Sequence, residues 1–337
     1  MPRTSFTRPR ARRLLTVLLA AVALLLGAGV VPAAAEPGEG GTKQLREALE
    51  AAAKGHIEAK AKLDNSKRRQ VALVAELKTV EGRLGQLTAQ VGEVAAQSYR
   101  LGRLTPTAML LESTTPEGFL RRAAELDVMA QRDGKRLRSL TEAKQAAAKA
   151  KAAIDNEVRE QQKQLAVLAK KKRDAERALA TVSSGSSAGF SGGSRSASPA
   201  PRNSDGSWPS ETCSVSDPTT DGCITPRTLH ALKQAQAAGY KRYVSCFRSG
   251  GGGEHPKGRA CDFAAATSGF EDKTATGGDK AYGDSLASYF KNNASRLGVL
   301  YVIWYRQIWM PNTGWRSYSG SGSPAADHTN HVHLSMY

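Results

Sequence analysis

The feature that most constrains this chain is the spacing of its apolar residues at every third or fourth position over two long stretches. The first stretch runs from about Lys43 to Leu101, and the second from about Leu137 to Val182. A sustained spacing of this kind predicts coiled-coil helices. Between them, Gly102, Pro106 and Pro116 interrupt the pattern. We therefore predict two long helices that fold back on each other as an all-α antiparallel hairpin.

The inner positions of this hairpin carry many alanine, lysine and glutamine residues. Such positions bury little apolar area, so the sequence predicts a loosely packed core. His56 falls on the inner seam, where we interpret it as a partly exposed residue without a function of its own.

Residues 1–35 have the pattern of an export signal. Five arginines precede an apolar run of 18 residues, Leu14–Val31, and Ala33–Ala35 offers a small-residue cleavage site. The run is also long enough for a retained membrane anchor, but the adjacent cleavage site favours removal. We expect a secreted or cell-wall-associated protein.

The charge of the chain indicates an acidic partner surface. The formal net charge is +17, and loss of the five signal arginines would leave about +12. Outside a cell, this balance favours an anionic cell wall or lipid headgroups. Nucleic acid is not expected as a partner, because the basic residues are spread through the helices among acidic ones.

All four cysteines lie within residues 213–261, at Cys213, Cys223, Cys246 and Cys261. An even number within one exported module predicts two disulfides. Three pairings are possible, and the spacing favours Cys213 with Cys223 and Cys246 with Cys261. A four-cysteine zinc site is the rival interpretation, which the lack of any CxxC pair disfavours.

The segment 183–207 is rich in Ser, Gly and Pro, a composition that predicts a flexible, disordered linker. It divides the chain into a signal peptide (1–35), a coiled-coil hairpin (36–182), the linker and a C-terminal module (208–337). Such a linker would let the hairpin and the module move independently.

The C-terminal module mixes helical and strand patterns. Thr225 and Pro226 form a helix start, and the overall fold class that we predict is α+β with a small antiparallel sheet behind the hairpin. The predicted strands cover about 240–247, 259–264, 299–305 and 331–336, and a second helix covers 282–297.

Four polar residues of this module form a candidate metal site. His331 and His333 are two positions apart on a predicted strand, so their side chains leave the same face. Asp262 is expected to face the cleft from its strand, and the glycine-rich loop lets His255 bend towards it. Two imidazoles and one carboxylate around an open fourth position are typical of a catalytic zinc site.

The motifs His255-x-x-Gly258-x-Ala260-x-Asp262 and His331-Val332-His333 together resemble the zinc site of the LAS superfamily. That superfamily includes the D-Ala-D-Ala carboxypeptidases of peptidase family M15, lysostaphin-type endopeptidases and the hedgehog signalling domain. The resemblance implies zinc as the cofactor, with His255, Asp262 and His333 as its ligands. It also implies that His331 supports the transition state or shuttles protons.

The end of the chain is most similar to the hedgehog type, in which a carboxylate stands four residues before HxH. Asp327 occupies that position, so the resemblance implies Asp327 as the general base, with His328 or His331 as alternatives. Two departures are the shorter Asp in place of Glu, and Gly253 where a serine is often found.

Arg248, in the stretch CFRSGGGG, resembles an arginine that precedes the metal loop in M15 peptidases. The resemblance implies contact with the substrate or its oxyanion, to which guanidinium geometry is suited. The alternative is a salt bridge that anchors the glycine loop. Among the nearby aromatic residues, we expect one or two of Trp309, Trp315 and Tyr318 to line a substrate groove.

Residues 95–133 resemble the tip of coiled-coil hairpins in exported murein hydrolases and their activators. In those proteins the hairpin docks onto the cell-division ABC transporter, which implies a membrane-protein partner at this tip. A plain spacer or a dimerising coil is the alternative interpretation.

Together these patterns predict an exported zinc peptidase that acts on peptidoglycan stem peptides and is regulated through its coiled coil. A D-alanyl carboxypeptidase and an endopeptidase both remain open. One alternative is a non-catalytic wall-binding or hydrolase-activating protein with a structural zinc site. Another is an interaction protein in which the hairpin is the working part.

Overall fold

The computed structural model describes residues 42–102, 108, 110–181, 188–250, 252–318 and 320–337. The predicted signal peptide, Pro106 in the hairpin tip and the first residues of the predicted linker lie outside these ranges. Within the part of the chain that the structure describes, no helix is both long enough and apolar enough to cross a membrane.

Two long helices form the predicted hairpin: α1 (Lys43–Leu101) and α2 (Pro116–Ala180). The side chain of Thr42 accepts a hydrogen bond from the amide of Leu45 and caps the start of α1. Pairs such as Arg69 with Glu157 and Glu81 with Lys151 link the helices in antiparallel order.

The second helix begins much earlier than the apolar pattern predicts. Thr115 caps it by accepting a hydrogen bond from Gly118, and Pro116 occupies its first turn. Proline is favoured there because the N–H groups of the first turn have no acceptor within the helix. The N–H that proline lacks therefore costs no hydrogen bond. Pro116 thus starts α2 and does not merely break a helix.

The buried residues of the hairpin are concentrated towards its base. Every residue of α1 that is buried lies between Leu45 and Ser66, and those of α2 are alanines together with Leu179. From Lys67 to Leu137 no described residue of either helix is buried, so the distal part of the hairpin has the loose packing that its composition predicts.

The C-terminal module has the predicted α+β architecture. Its helices are α3 (Pro226–Ala237), α4 (Gly277–Asn292) and the short α5 (Ala294–Leu297). Its strands are β1 (Val215–Ser216), β2 (Cys223–Ile224), β3 (Val244–Ser245), β4 (Ala260–Ala264), β5 (Val299–Trp304), β6 (Gln307–Met310), β7 (Gly314–Ser317) and β8 (His331–Met336).

A six-stranded antiparallel sheet with strand order β3-β4-β8-β5-β6-β7 forms the centre of this module. The last strand of the chain, β8, lies in the middle of the sheet between β4 and β5. Its register places Asp262 of β4 opposite His333 of β8. The register therefore brings two distant parts of the sequence to one point.

Each face of the sheet packs against a different part of the chain. On the helix face, Phe263, Val302, Val332 and Leu334 join a core with Phe290 of α4. On the other face, side chains from β5 and β6 join a core with the hairpin base, at Leu45, Leu49, Ala52, Ala53, Ala175 and Leu179. We call this second surface the hairpin face.

Glu50 adds two ion pairs to the contact between the hairpin and the module. Its carboxylate lies 3.0 Å from Lys257 Nζ and 2.8 Å from Arg259 Nη2. The hairpin base is therefore attached to the module by apolar packing and by charge. The prediction that the hairpin and the module move independently is wrong for this end of the hairpin.

The predicted disordered linker is ordered from residue 188 onwards. Ala197 and Ala200 are buried against the module. The amide of Ala197 donates to Asn293 Oδ1 at 2.7 Å, and that of Ala200 donates to the carbonyl of Arg296 at 2.8 Å. Small side chains and backbone hydrogen bonds thus hold a segment whose composition predicts flexibility.

Both favoured disulfides are present, Cys213–Cys223 and Cys246–Cys261. The second joins the segment after β3 to β4, and β4 carries Asp262. The first lies against Gly258, where an added Cβ would come within 2.5 Å of Cys213 Sγ. Gly258 also has a φ of 67°, so glycine suits this position in both space and conformation.

Replacing Leu49 by alanine is expected to destabilise the C-terminal module as well as the hairpin. Leu49 is 2% exposed in the core that the hairpin base shares with the sheet, and such truncations cost about 2–5 kcal/mol. All four tryptophans lie between residues 208 and 315, so denaturation followed by tryptophan fluorescence reports on the module.

The matched control is Val71→Ala on the same helix, where the side chain is 71% exposed and its loss should be nearly neutral. An unfolding midpoint of the module that stays the same in Leu49→Ala would contradict a stabilising role for the hairpin base.

Candidate metal centre

Three elements bring the candidate ligands together. His255 opens a short 3₁₀ turn (His255–Lys257) after the glycine loop, Asp262 lies in β4 and His333 in β8. The side chains of Asp262 and His333 leave the face of the sheet opposite to Phe263 and Val332, which enter the helix-face core. The cluster is therefore on the hairpin face, and all three residues are fully buried.

The three ligand atoms lie close to one another. His255 Nε2 is 3.3 Å from His333 Nδ1 and 3.2 Å from Asp262 Oδ2, and His333 Nδ1 is 2.7 Å from Asp262 Oδ1. In a tetrahedral site with bonds of about 2.0–2.2 Å, ligand atoms are about 3.3–3.6 Å apart. The cluster fits a metal ion with only a slight widening between Asp262 and His333.

The remaining ring nitrogens of the two histidines have partners that orient them. His255 Nδ1 contacts the carbonyl of Cys246, and His333 Nε2 lies 2.8 Å from Ser335 Oγ. A metal ion would take the lone pairs of His255 Nε2 and His333 Nδ1, with the protons held on the other two ring nitrogens. Tyr301 stacks on the His333 ring with centroids 5.7 Å apart.

Two further histidines present unpartnered nitrogens beside this cluster. The Nε2 atoms of His328 and His331 are buried and form no hydrogen bond to any described residue. His331 Nε2 lies 3.6 Å from Asp262 Oδ1. Its Nδ1 is 2.7 Å from Asn330 Oδ1, an atom that only accepts, so Nδ1 carries the proton and Nε2 keeps its lone pair.

Burial is the largest influence on the pKa of His331 and of His328, and it lowers both. It lowers the pKa of His331 to about 4, with the charge of Asp262 offsetting it only in part. Burial also lowers the pKa of His328 well below its usual value. Both rings are therefore neutral near pH 7.

The candidate ligands Asp262 and His255 shift the pKa values of each other. Burial alone would raise the pKa of Asp262, but its interactions with the surrounding histidines, His255 first, outweigh burial and hold that pKa well below its usual range. Burial would lower the pKa of His255, but attraction to Asp262 raises it above its ordinary value. A metal ion would compete with a proton for His255.

Arg248 contacts the cluster through Asp262, one of the candidate metal ligands. Its Nη1 donates to Asp262 Oδ2 at 2.9 Å, and the side chain is only 10% exposed. The arrangement corresponds to the salt-bridge alternative, since the guanidinium orients the carboxylate. A direct contact of Arg248 with substrate stays a prediction.

Both oxygens of Asp327 are engaged in a loop contact. Oδ1 accepts hydrogen bonds from the amides of Gly320 and Gly322, and Oδ2 pairs with Arg306 Nε at 2.9 Å. These contacts fix the loop that carries His328. The role of Asp327 as the general base stays a prediction, and its present partners favour a positioning role.

The structure does not bring Trp309 or Trp315 to the cluster. Trp315 is buried in the helix-face core against Phe190, and Trp309 packs against the same core. Side chains alternate along β6, so Ile308 and Met310 enter the hairpin-face core while Trp309 points the other way. That one or two of Trp309, Trp315 and Tyr318 line a substrate groove stays a prediction, and Tyr318 is buried beneath the hairpin base.

With this geometry in place, one comparison gives a match. A family model described as VldE, C-terminal domain, matches residues 220–329. The matched segment holds His255, Asp262 and His328, and it ends before His331 and His333. No curated protein and no solved structure matches the chain.

Sequence reasoning missed the groups that orient the cluster. Ser335 continues the alternation of His331 and His333 along β8, so the pattern HxHxS carried a signal for it. Asn330 directly precedes His331, and its amide sets the tautomer of that ring. The carbonyl of Cys246 had no such signal, because any residue offers the same backbone oxygen.

Proposed function

We propose that this protein is an exported, zinc-dependent peptidase that cleaves peptidoglycan stem peptides, as a D-alanyl carboxypeptidase or an endopeptidase. The observation that carries the proposal is a buried cluster of His255, Asp262 and His333 with two neutral, unpartnered imidazole nitrogens beside it. A structural site is typically closed by four protein ligands, whereas a catalytic site keeps one position open.

Each residue has a distinct task under this proposal. His255, Asp262 and His333 hold the zinc, which when bound supplies Lewis acidity and favours deprotonation of water. His331 Nε2 accepts the proton of the attacking water and returns it to the leaving amine. Arg248 keeps Asp262 ionised and oriented through its hydrogen bond to Oδ2.

The proposal places control of the site in the hairpin. Glu50 of α1 pairs with Lys257 and Arg259, which lie two and four residues after His255. A displacement of α1 therefore pulls on the turn that positions His255. We further propose that a membrane-protein partner docks at the distal end, where Tyr99 and Leu111 are exposed.

The second candidate is a non-catalytic wall-binding or hydrolase-activating protein whose metal only supports the fold. The engagement of both Asp327 oxygens favours it, because the carboxylate that the family resemblance implies as base is held by Arg306 and by the 320–322 loop.

Incubation of purified peptidoglycan with the zinc-loaded full chain separates these candidates. We expect new free amino groups or released D-alanine, measured by labelling and mass spectrometry, and at least about a 100-fold loss of rate in His255→Ala. The matched control is His230→Ala, whose ring contacts the carbonyl of Ser198 outside the cluster and which should retain the rate. Stoichiometric zinc without any cleavage would overturn the peptidase and support the second candidate.

A further inference from the structure

A cavity of about 520 Å³ lies between α1, the segment around Trp208 and the ends of α4 and β6. Its volume is within the range of small-molecule sites, about 300–1,000 Å³. Trp309, one of the aromatic residues expected to line a substrate groove, lines this cavity. Its other walls contain no candidate metal ligand, so the cavity and the metal cluster are separate.

The cavity carries more positive than negative charge. Lys60, Arg68, Arg202 and Lys291 line it, against the single acid Asp64. Asp64 pairs with Lys60 at 3.2 Å. The other three cations form no ion pair with a carboxylate among the described residues, so their charge is available to a ligand.

Backbone contacts hold two of these cations in place. Arg202 donates to the carbonyls of Gly206 and Ser295, and its guanidinium lies 3.6 Å from the ring centroid of Trp208. Arg68 Nη2 donates to the carbonyl of Asp205 at 3.0 Å. Arginines fixed in this way lose little further freedom when they bind a carboxylate or phosphate.

Neutral groups of the cavity add apolar and polar recognition. Trp309 supplies an aromatic face, and Asn292 and Ser295 supply groups that pair with hydroxyls.

We propose that this cavity binds an anionic sugar, in which a carboxylate or phosphate pairs with Arg68, Arg202 and Lys291 while the ring lies against Trp309. The site is distinct from the metal cluster and does not depend on the peptidase proposal. Because it lies between α1 and the module, its occupant contacts both parts of the chain at once.

Calorimetric titration of the full chain tests the proposal with four probes: glucose 6-phosphate, glucuronate, glucose and inorganic phosphate. We expect one or both anionic sugars to bind at least tenfold more tightly than glucose and than inorganic phosphate, and the two arms distinguish phosphate from carboxylate recognition. Equal binding of inorganic phosphate, or binding of neither anionic sugar, would overturn the proposal.

The double variant Arg68→Gln with Lys291→Gln changes two exposed side chains of the cavity and is expected to weaken sugar binding at least tenfold. The matched control, Lys78→Gln with Arg83→Gln, removes the same charge from exposed positions of α1 outside the cavity and should change the affinity less than twofold. Equal weakening in both doubles would overturn the assignment to this cavity. A chelator-treated sample should bind as tightly as the untreated one, and loss of binding there would place the sugar at the metal centre instead.

Discussion

Asp262→Asn is expected to weaken zinc binding by more than about 100-fold. Asp262 is the only anionic member of the cluster, and loss of residues that merely support a metal ligand already costs about 10- to 100-fold in affinity. The carboxamide keeps the shape of the side chain but removes the charge that His255, His333 and Arg248 surround. Competition with a fluorescent chelator measures the change.

A control for this substitution is Asp279→Asn, which also breaks a carboxylate–arginine pair, to Arg242 at 2.8 Å, but lies outside the cluster. We expect its zinc affinity to stay within about twofold of the unaltered chain. Zinc affinity that survives in Asp262→Asn would show that the metal binds elsewhere.

His331→Gln is expected to lower the peptidase rate by about 10²- to 10⁴-fold, the usual contribution of a general base, while the zinc content stays the same. Glutamine fills similar space and pairs with Asn330, but it cannot take up a proton in the way that a neutral imidazole does. The measurement combines the rate of stem-peptide cleavage with metal analysis of the same sample.

Asp327→Asn provides the comparison, because Asp327 is the base that the family resemblance implies. With both of its oxygens used in the loop, we expect a smaller rate loss than in His331→Gln. A larger loss in Asp327→Asn, with His331→Gln nearly as fast as the unaltered chain, would assign the base to Asp327.

The long helices were predictable because their signals are local. The apolar spacing and Gly102 predicted the extent of α1, and the structure shows Thr42 as its N-terminal cap. The early start of α2 was missed because Pro116 carries two meanings, a helix breaker and a first-turn residue. The attachment of the hairpin base was also hidden, since Leu45 and Leu49 follow the same period whether they face a helix or a sheet.

The residues of the site could be predicted where they belong to a sequence motif. Alternation along β4 and β8 placed Asp262 and His333 on one face, and the antiparallel register then brought them together. Strand β6 was missed because the turn before it, Tyr305 and Arg306, has positive φ at both residues without the Asn or Gly that usually marks such a turn.

The order of residues 188–207 could not be predicted, because composition measures only the tendency of a segment to stay unfolded alone. The ordering contacts come from Asn293 and Arg296, about a hundred residues further along the chain. Non-local hydrogen bonds of this kind leave no trace in the segment itself.

X-ray absorption spectroscopy at the zinc edge tests the central claim most directly, on the full chain loaded with one equivalent of zinc. The account predicts two imidazole nitrogens, carboxylate oxygen from one residue and one solvent oxygen at about 2.0–2.2 Å, with one imidazole lost in His333→Ala and none lost in His331→Gln. A third imidazole that disappears in His331→Gln would mean a closed, structural site and would contradict the proposed catalytic centre.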